Sequence, residues 1–254
     1  MTTSVLVTRP AGQAQGLLDA LCAAGFGPVH HFPMLVLEPL EQLAPEQHQH
    51  LLDLDLYQHV IFISANAVRF GLERVDEYWP QLPIGINWYA IGDTTARLLQ
   101  ERGLEAMTPG ESMSSEGLLS RPELQSVEGQ RVLVFKGQGG RETLRKTLVQ
   151  RGARVDELAC YRRTCPQISP ELLPKLLLEQ AIDVAMISSG EGLANMLTLL
   201  SDEESTKFKD ISLIVPSARV AAMAQQAGFN DVVTAANASD AAMLQALQRW
   251  QAGD

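Results

Sequence analysis

The stretch "ACYRRTC", Ala159 to Cys165, gathers one tyrosine, two arginines and two of the chain's three cysteines into seven residues. Such a set opens three chemistries: metal ligation or thiol exchange by the cysteines, anion binding by the guanidiniums, and proton donation by the phenol. If the stretch is extended, side chains alternate, and Cys160 and Cys165, five apart, point to opposite faces. They are then poorly placed to share a metal or a disulfide and read as apolar packing. That leaves Tyr161, with Arg162 and Arg163 beside it, as the group to position.

Other motifs are weaker. The five histidines, His30, His31, His48, His50 and His59, stand near no cysteine and in no HExxH setting, which argues against zinc. "KGQGG" (Lys136–Gly140) invites a dinucleotide reading, with Asp156 in the place of the ribose acid. Glu142, however, occupies the position of the third glycine. No GxxxxGK[ST] motif is present, and "GESMSSEG" contains no GxSxG elbow.

Bulk properties narrow the field further. The 254 residues are 46% hydrophobic, enough for one large or two small cores. A net charge of -10 without any Lys/Arg-rich run argues against nucleic-acid binding, so an anionic ligand would need positive groups gathered locally. No apolar run approaches the roughly 20 residues of a membrane span. An N-terminus of "MTTSVLVTRP" without a leader pattern and an odd cysteine count fit a cytoplasmic protein.

The elements that must hold Tyr161 come from a repeat. "SVLVT", then "RPAGQAQGLLDALCAAG", then a second strand around Pro28 to Phe32 read as a βαβ unit. The unit recurs in "RVLVFKGQGGRETLRKTLVQRGARVDELACYRR", with Val5 on Val132, Arg9 on Lys136, Leu17 on Leu144 and Gly25 on Gly152, each pair 127 positions apart. "VIFISANAV" likewise matches "VAMISSGEGL", "AIGDTTARLLQERGL" matches "VPSARVAAMAQQAGF", and "SSEGLL" matches "ASDAAML", with Ser115 and Ser239 expected as helix caps. The expected fold is α/β: two similar open domains with parallel sheets, helices on both faces and a cleft between them.

In open parallel sheets ligands bind beyond the carboxyl ends of the strands. The turns there are "TRPAGQ", "SANA", "GDTTA", "KGQGGRE", "SSGEG" and "PSARV", rich in hydroxyls, glycines and single bases, a surface suited to carboxylates or phosphates. Such residues are also ordinary caps and turns. Arg9, Lys136, Arg141 and Arg219 all fall in or beside these turns.

"VLVTRP", "FISANAV", "AIGDTTARLL", "VLVFKGQGGRETL" with "RGARV", the "CYRR" tyrosine, "SSGEGL" and "PSAR" with its later "GF", in this order and spacing, make the chain resemble the uroporphyrinogen-III synthase family over essentially its full length. The resemblance implies a lyase without metal or organic cofactor. Its substrate is hydroxymethylbilane, a linear tetrapyrrole with eight carboxylates, which loses its hydroxyl to give an azafulvene. Ring closure then inverts ring D through a spiro intermediate. The resemblance also implies that the two α/β domains are flavodoxin-like and follow a discontinuous plan: 1–34 and 168–254 form domain 1, 40–159 form domain 2, and 35–39 with 160–167 form a two-strand linker, whose hinge would let the cleft between the domains close.

By the same resemblance Tyr161 assists departure of the hydroxyl, with an interdomain packing tyrosine as the alternative. Ser64, Asn66, Thr94, Thr95, Ser188 and Ser189 would donate to substrate carboxylates, and Lys136, Gly137 and Arg141 would form an anion seat; Arg9, which falls on Lys136 in the repeat, is a further substrate-binding candidate. "PSAR" departs from the family's threonine-containing pattern: Ser217 falls on Gly92 and Arg219 on Thr94, so both stay substrate-binding candidates and Arg219 would replace a hydroxyl contact with a charged one. A monomer that binds neither nucleic acid nor membrane is expected. Two other classes stay open: a non-catalytic two-domain receptor for a small anion, and an enzyme acting on nucleotide-linked substrates.

Overall fold

The computed structural model describes residues 3–110, 112–140 and 142–253. The chain opens with β1 (Val5–Val7), α1 (Gln15–Ala23) and β2 (Val29–His31). Next come β3 (Val36–Pro39), α2 (Pro45–Leu52), β4 (His59–Phe62), α3 (Ala65–Asp76), β5 (Asn87–Ala90), α4 (Asp93–Gln100) and β6 (Ala106–Met107). The middle ends with α5 (Ser115–Leu119), β7 (Arg131–Gly137), α6 (Thr143–Gln150) and the long β8 (Arg154–Thr164). The chain closes with α7 (Leu172–Glu179), β9 (Val184–Met186), α8 (Gly190–Thr198), α9 (Asp202–Lys207), β10 (Ser212–Val215), α10 (Ala218–Gln226), β11 (Val232–Thr234) and α11 (Asp240–Ala252).

Two compact units result. Unit 1 comprises Met1–Leu37 and Thr164–Asp254, and unit 2 comprises Glu38–Arg163. In unit 1 the sheet order is β11-β10-β9-β1-β2, and every adjacent pair is parallel. Numbered along the unit's own chain this is 2-1-3-4-5 read from the β2 edge, the flavodoxin order. Alternation along the buried strands sends Leu6, Ala185, Leu213 and Val215 to one face, against Leu173, Leu177, Leu193, Met196 and Val220 of α7, α8 and α10. Val5, Val7, Val184, Met186 and Ile214 face the other way, onto Leu17 and Leu21 of α1 and Met243 and Leu247 of α11. Both faces are covered, which is why these strands read as unbroken apolar runs.

Unit 2 has the order β3-β8-β7-β4-β5-β6. Without β3 this is the same sheet, with β7 and β8 in the places of β1 and β2, and β4, β5 and β6 in those of β9, β10 and β11. The chain enters at β4 instead of at the β1 position, so the two units are circular permutations of one arrangement. One face packs Ile61, Tyr89, Val132 and Val134 against Leu118 of α5 and Leu144 and Leu148 of α6. On the other face α3 comes close because Gly71 has no side chain: a Cβ there would lie 2.6 Å from Phe135 Cδ1. Phe135 in turn stacks on Phe62, with ring centroids 4.5 Å apart.

The structure departs from the sequence reading at two local points. The cap of α5 is Ser114, whose hydroxyl accepts from Gly117 N at 3.0 Å, not Ser115, which is the first helical residue; Ser239 does cap α11. The simple alternation expected through "ACYRRTC" is also broken. Lys136 pairs with Ala159 but Gly137 pairs with Tyr161, so Cys160 is an extra residue in β8, a bulge. Cys160 and Tyr161, though consecutive, are both buried and both meet α3: Cys160 Sγ is 3.7 Å from Ala67 O, and the Tyr161 ring stacks on Phe70 with centroids 5.5 Å apart. Val36–Pro39 and Cys160–Thr164, which lie within the two extended linker strands expected from sequence, are indeed extended, as β3 and the end of β8, neighbours in the six-stranded sheet.

Candidate functional site

Four strands of unit 2 end at a common edge. After β4 the chain turns at Ser64 into α3, after β5 at Gly92 into α4, and after β7 through Gly137–Gly140 towards α6. β8 carries Tyr161 and Arg163 past that edge. The β4/β7 boundary, where strand order reverses, is the place where open α/β sheets hold ligands. A cavity of about 330 Å³ opens there, lined by Ile63, Ile91, Ser114, Lys136, the Gly137–Gly140 turn, Glu157, Tyr161 and Arg163, among others.

Tyr161 is fixed from several sides. Its ring is 1% exposed, lies against Phe70, and approaches Gly137 so closely that only glycine fits there. Its hydroxyl is 3.1 Å from Ser64 Oγ and accepts a long 3.4 Å hydrogen bond from Arg163 Nη2. Ser64 is itself held as the cap of α3, accepting from Ala67 N at 3.1 Å. The Arg163 guanidinium lies 5.7 Å from the centre of the Tyr161 ring. Arg162 binds Glu38 instead, at 2.7 Å. The neighbouring Cys160 thiol donates to Lys136 O at 3.3 Å and is pushed up to about 12 by burial, so it is inert as a nucleophile.

The structure therefore brings Tyr161, Ser64, Lys136 and Gly137 to one place. It also assigns some of them tasks the sequence did not show. Lys136, expected in an anion seat, is 8% exposed and paired with Glu157 Oε1 at 3.1 Å. Gly137 makes room for Tyr161. Asn66 is half-buried in the first turn of α3. Thr94 is exposed at the start of α4, whereas Thr95 is buried and its hydroxyl donates to Ile91 O at 3.3 Å. Arg141 lies outside the described residues.

The remaining candidates belong to unit 1, at the matching strand ends. Arg9 forms an ion pair with Asp240 and donates to Ala238 O, which ties it to the start of α11. Ser189 caps α8 as Ser64 caps α3, and Ser188 precedes it, half-buried. Ser217 caps α10. Arg219 is exposed and reaches over the start of α8, its Nη1 3.4 Å from where a Gly190 Cβ would stand.

Glu157, Phe70 and Ser114 were not found by the sequence reading. Arg163, noted there as a nearby charge, carries a specific contact. Its position two residues after Tyr161 on a strand was the available signal. Glu157 had none, because the bulge intervenes. Among the described residues no group of three His, Cys, Asp or Glu side chains is placed to hold a metal ion, and no helix is long and apolar enough to cross a membrane.

Paired parallel sheets with hydroxyl-rich turns and a fixed tyrosine at a strand-end cavity define an α/β protein built to receive a small molecule. The profile of the uroporphyrinogen-III synthase HemD family matches residues 15–245. The chain is 35% identical over 252 residues to uroporphyrinogen-III synthase of Escherichia coli K12, covering 96% of this chain and 100% of that one. It is 33% identical over 251 residues to the Salmonella typhimurium enzyme, with the same coverage. Among solved structures, its fold is similar to that of uroporphyrinogen-III synthetase from Helicobacter pylori 26695, with a TM-score of 0.62, 15% identity and coverage of 98% of this chain and 100% of that one. A mutant uroporphyrinogen III synthase from the extreme thermophile Thermus thermophilus gives a TM-score of 0.61 at 19% identity, covering 100% of both chains. The chain belongs to the uroporphyrinogen-III synthase family, the cyclising lyases of tetrapyrrole biosynthesis.

Proposed function

We propose that the unit 2 cavity takes part in closing hydroxymethylbilane to uroporphyrinogen III, with Tyr161 as the acid that protonates the departing hydroxyl. The observation that carries this assignment is the Tyr161 hydroxyl, held by Ser64 at 3.1 Å and lining a cavity at the sheet's switch point. The same cavity offers a glycine-rich turn whose backbone N–H groups suit carboxylates. Loss of water gives an azafulvene, which ring D attacks at its substituted carbon, and a spiro intermediate fragments and recloses with ring D inverted. No strong nucleophile is needed, since the open chain also closes unaided and orientation is the main catalytic contribution. Ser188, Ser189, Ser217 and Arg219 are proposed as carboxylate donors from unit 1. We further propose a monomer acting in the cytoplasm, which sedimentation and cell fractionation test.

The direct experiment supplies freshly generated hydroxymethylbilane and resolves the product isomers by chromatography. The inverted isomer should dominate. Tyr161→Phe should lower kcat by roughly 100-fold, the low end for a general acid, with KM nearly unchanged. The uninverted isomer alone at the unaided rate would overturn the activity, and Tyr161→Phe at the native rate would overturn the role of the tyrosine.

A further inference from the structure

Two side chains converge on the oxygen of Tyr161, and they differ in what they can do there. Arg163 only donates, so the phenol oxygen accepts from it whatever else happens. The Ser64 oxygen already accepts from Ala67 N and carries one proton of its own, so it can take a hydrogen bond from Tyr161 or give one. Capping α3 fixes the Ser64 oxygen, Phe70 and Gly137 fix the ring, and no group has to travel for the hydrogen bond between Ser64 and Tyr161 to reverse. The oxygen also sits at the start of a 12-residue helix, whose N-terminus favours negative charge.

We propose that Ser64 and Arg163 are positioning residues for Tyr161, holding its hydroxyl before proton transfer and both donating to its oxygen afterwards. The inference rests on Tyr161 being the acid. In the step, the Tyr161 O–H bond breaks and the proton moves to the leaving oxygen of the substrate. The C–O bond breaks with both electrons remaining on that oxygen, and water departs. The phenolate is met by the Ser64 O–H and the Arg163 N–H, two donors already in place, which is the preorganisation that lowers such a barrier. The phenolate regains a proton at the end of the sequence, when the unsubstituted α-carbon of ring D, which forms the final bond after the spiro intermediate has fragmented, gives up its hydrogen and the ring becomes aromatic again. Ser64, expected from sequence to bind a substrate carboxylate, acts instead through the tyrosine.

The test measures kcat and KM for Ser64→Gly and Arg163→Gln in the native protein and in a Tyr161→Phe background. Glycine is among the residues that helix N-caps favour, so the variant should keep α3. Each variant should lower kcat roughly tenfold with KM changed by less than about twofold. Ser64→Thr and Arg163→Lys should restore most of the rate. In the Tyr161→Phe background neither Ser64→Gly nor Arg163→Gln should cost anything further. Should Ser64→Gly unfold, Ser64→Asp, which caps the helix but cannot donate, carries the same expectation. If Ser64→Gly slows the Tyr161→Phe protein as much as the native one, Ser64 acts on substrate directly and the inference falls. If Ser64→Gly and Arg163→Gln are at the native rate while Tyr161→Phe is slow, the inference falls and the acid assignment stands. Tyr161→Phe at the native rate removes both.

Discussion

Gly137 and Tyr161 are partners in the β7–β8 register, and a Cβ on Gly137 would stand 2.7 Å from Tyr161 Cζ and 3.0 Å from its hydroxyl oxygen. Real Cβ atoms do not come so near, and the obstacle is a buried ring held by Phe70, not the end of a flexible chain. Gly137→Ala should therefore displace the ring, lower kcat by about tenfold or more and destabilise unit 2 by roughly 1–3 kcal/mol, as overpacking does. Steady-state rates and urea melts check this. Native values for both would show that the strand yields instead.

Lys136 tests how far a strand-end base is an anion seat. Its side chain is 10% exposed, and its partner Glu157 is 28% exposed. Because Glu157 already occupies the ammonium, Lys136→Met should alter substrate KM by less than about twofold. Glu157→Gln should destabilise the protein by roughly 1–3 kcal/mol, less than for a fully buried pair because Glu157 keeps some solvent. Lys136→Met combined with Glu157→Gln should recover part of that loss. A tenfold rise in KM for Lys136→Met would return it to the substrate-binding set.

The repeat made the fold legible. The spacing of 127 that sets Val5 on Val132 and Leu17 on Leu144 reflects equivalent βαβ units, and the polar turns did mark strand ends. Side-chain direction was far less legible, because it depends on features that periodicity does not carry. One extra residue, Cys160, changes the face to which Tyr161 turns. Arg9 and Lys136 lose their apparent freedom to Asp240 and Glu157, acids distant in sequence that only the folded sheet brings near. Adjacent threonines in one turn look alike until the helix starts at Asp93 and sends Thr95 inward.

Thr95 carries the consequence of that geometry. Its hydroxyl is spent on Ile91 O at 3.3 Å, just ahead of α4, so it is not available to a carboxylate. Thr95→Val keeps the shape and removes only this bond, at a cost of about 0.5–1.5 kcal/mol. Activity should stay within about twofold and the product isomer should not change. A large rise in KM would mean that Thr95 turns outward when substrate binds.

His59 sets an acid limit on stability. The ring is 3% exposed, with Nε2 2.5 Å from Gln130 Oε1 and Nδ1 2.9 Å from the Tyr89 hydroxyl. With the Gln130 carbonyl accepting from Nε2–H, Nδ1 accepts from Tyr89 and the neutral ring is fully bonded. Burial holds its pKa below the ordinary histidine value, outweighing the hydrogen bond to Gln130 and the more distant charge of Glu123. The unfolded chain then binds the proton first. His59 leaves stability intact above about pH 6.5, and stability falls as pH drops below that value until the folded-state pKa is reached. His59→Gln removes the titration while keeping a polar group. The Tm of the native protein should therefore decline more steeply between about pH 6.5 and 5 than that of the variant. Parallel Tm–pH curves would mean that the folded protein accommodates the imidazolium as readily as water does.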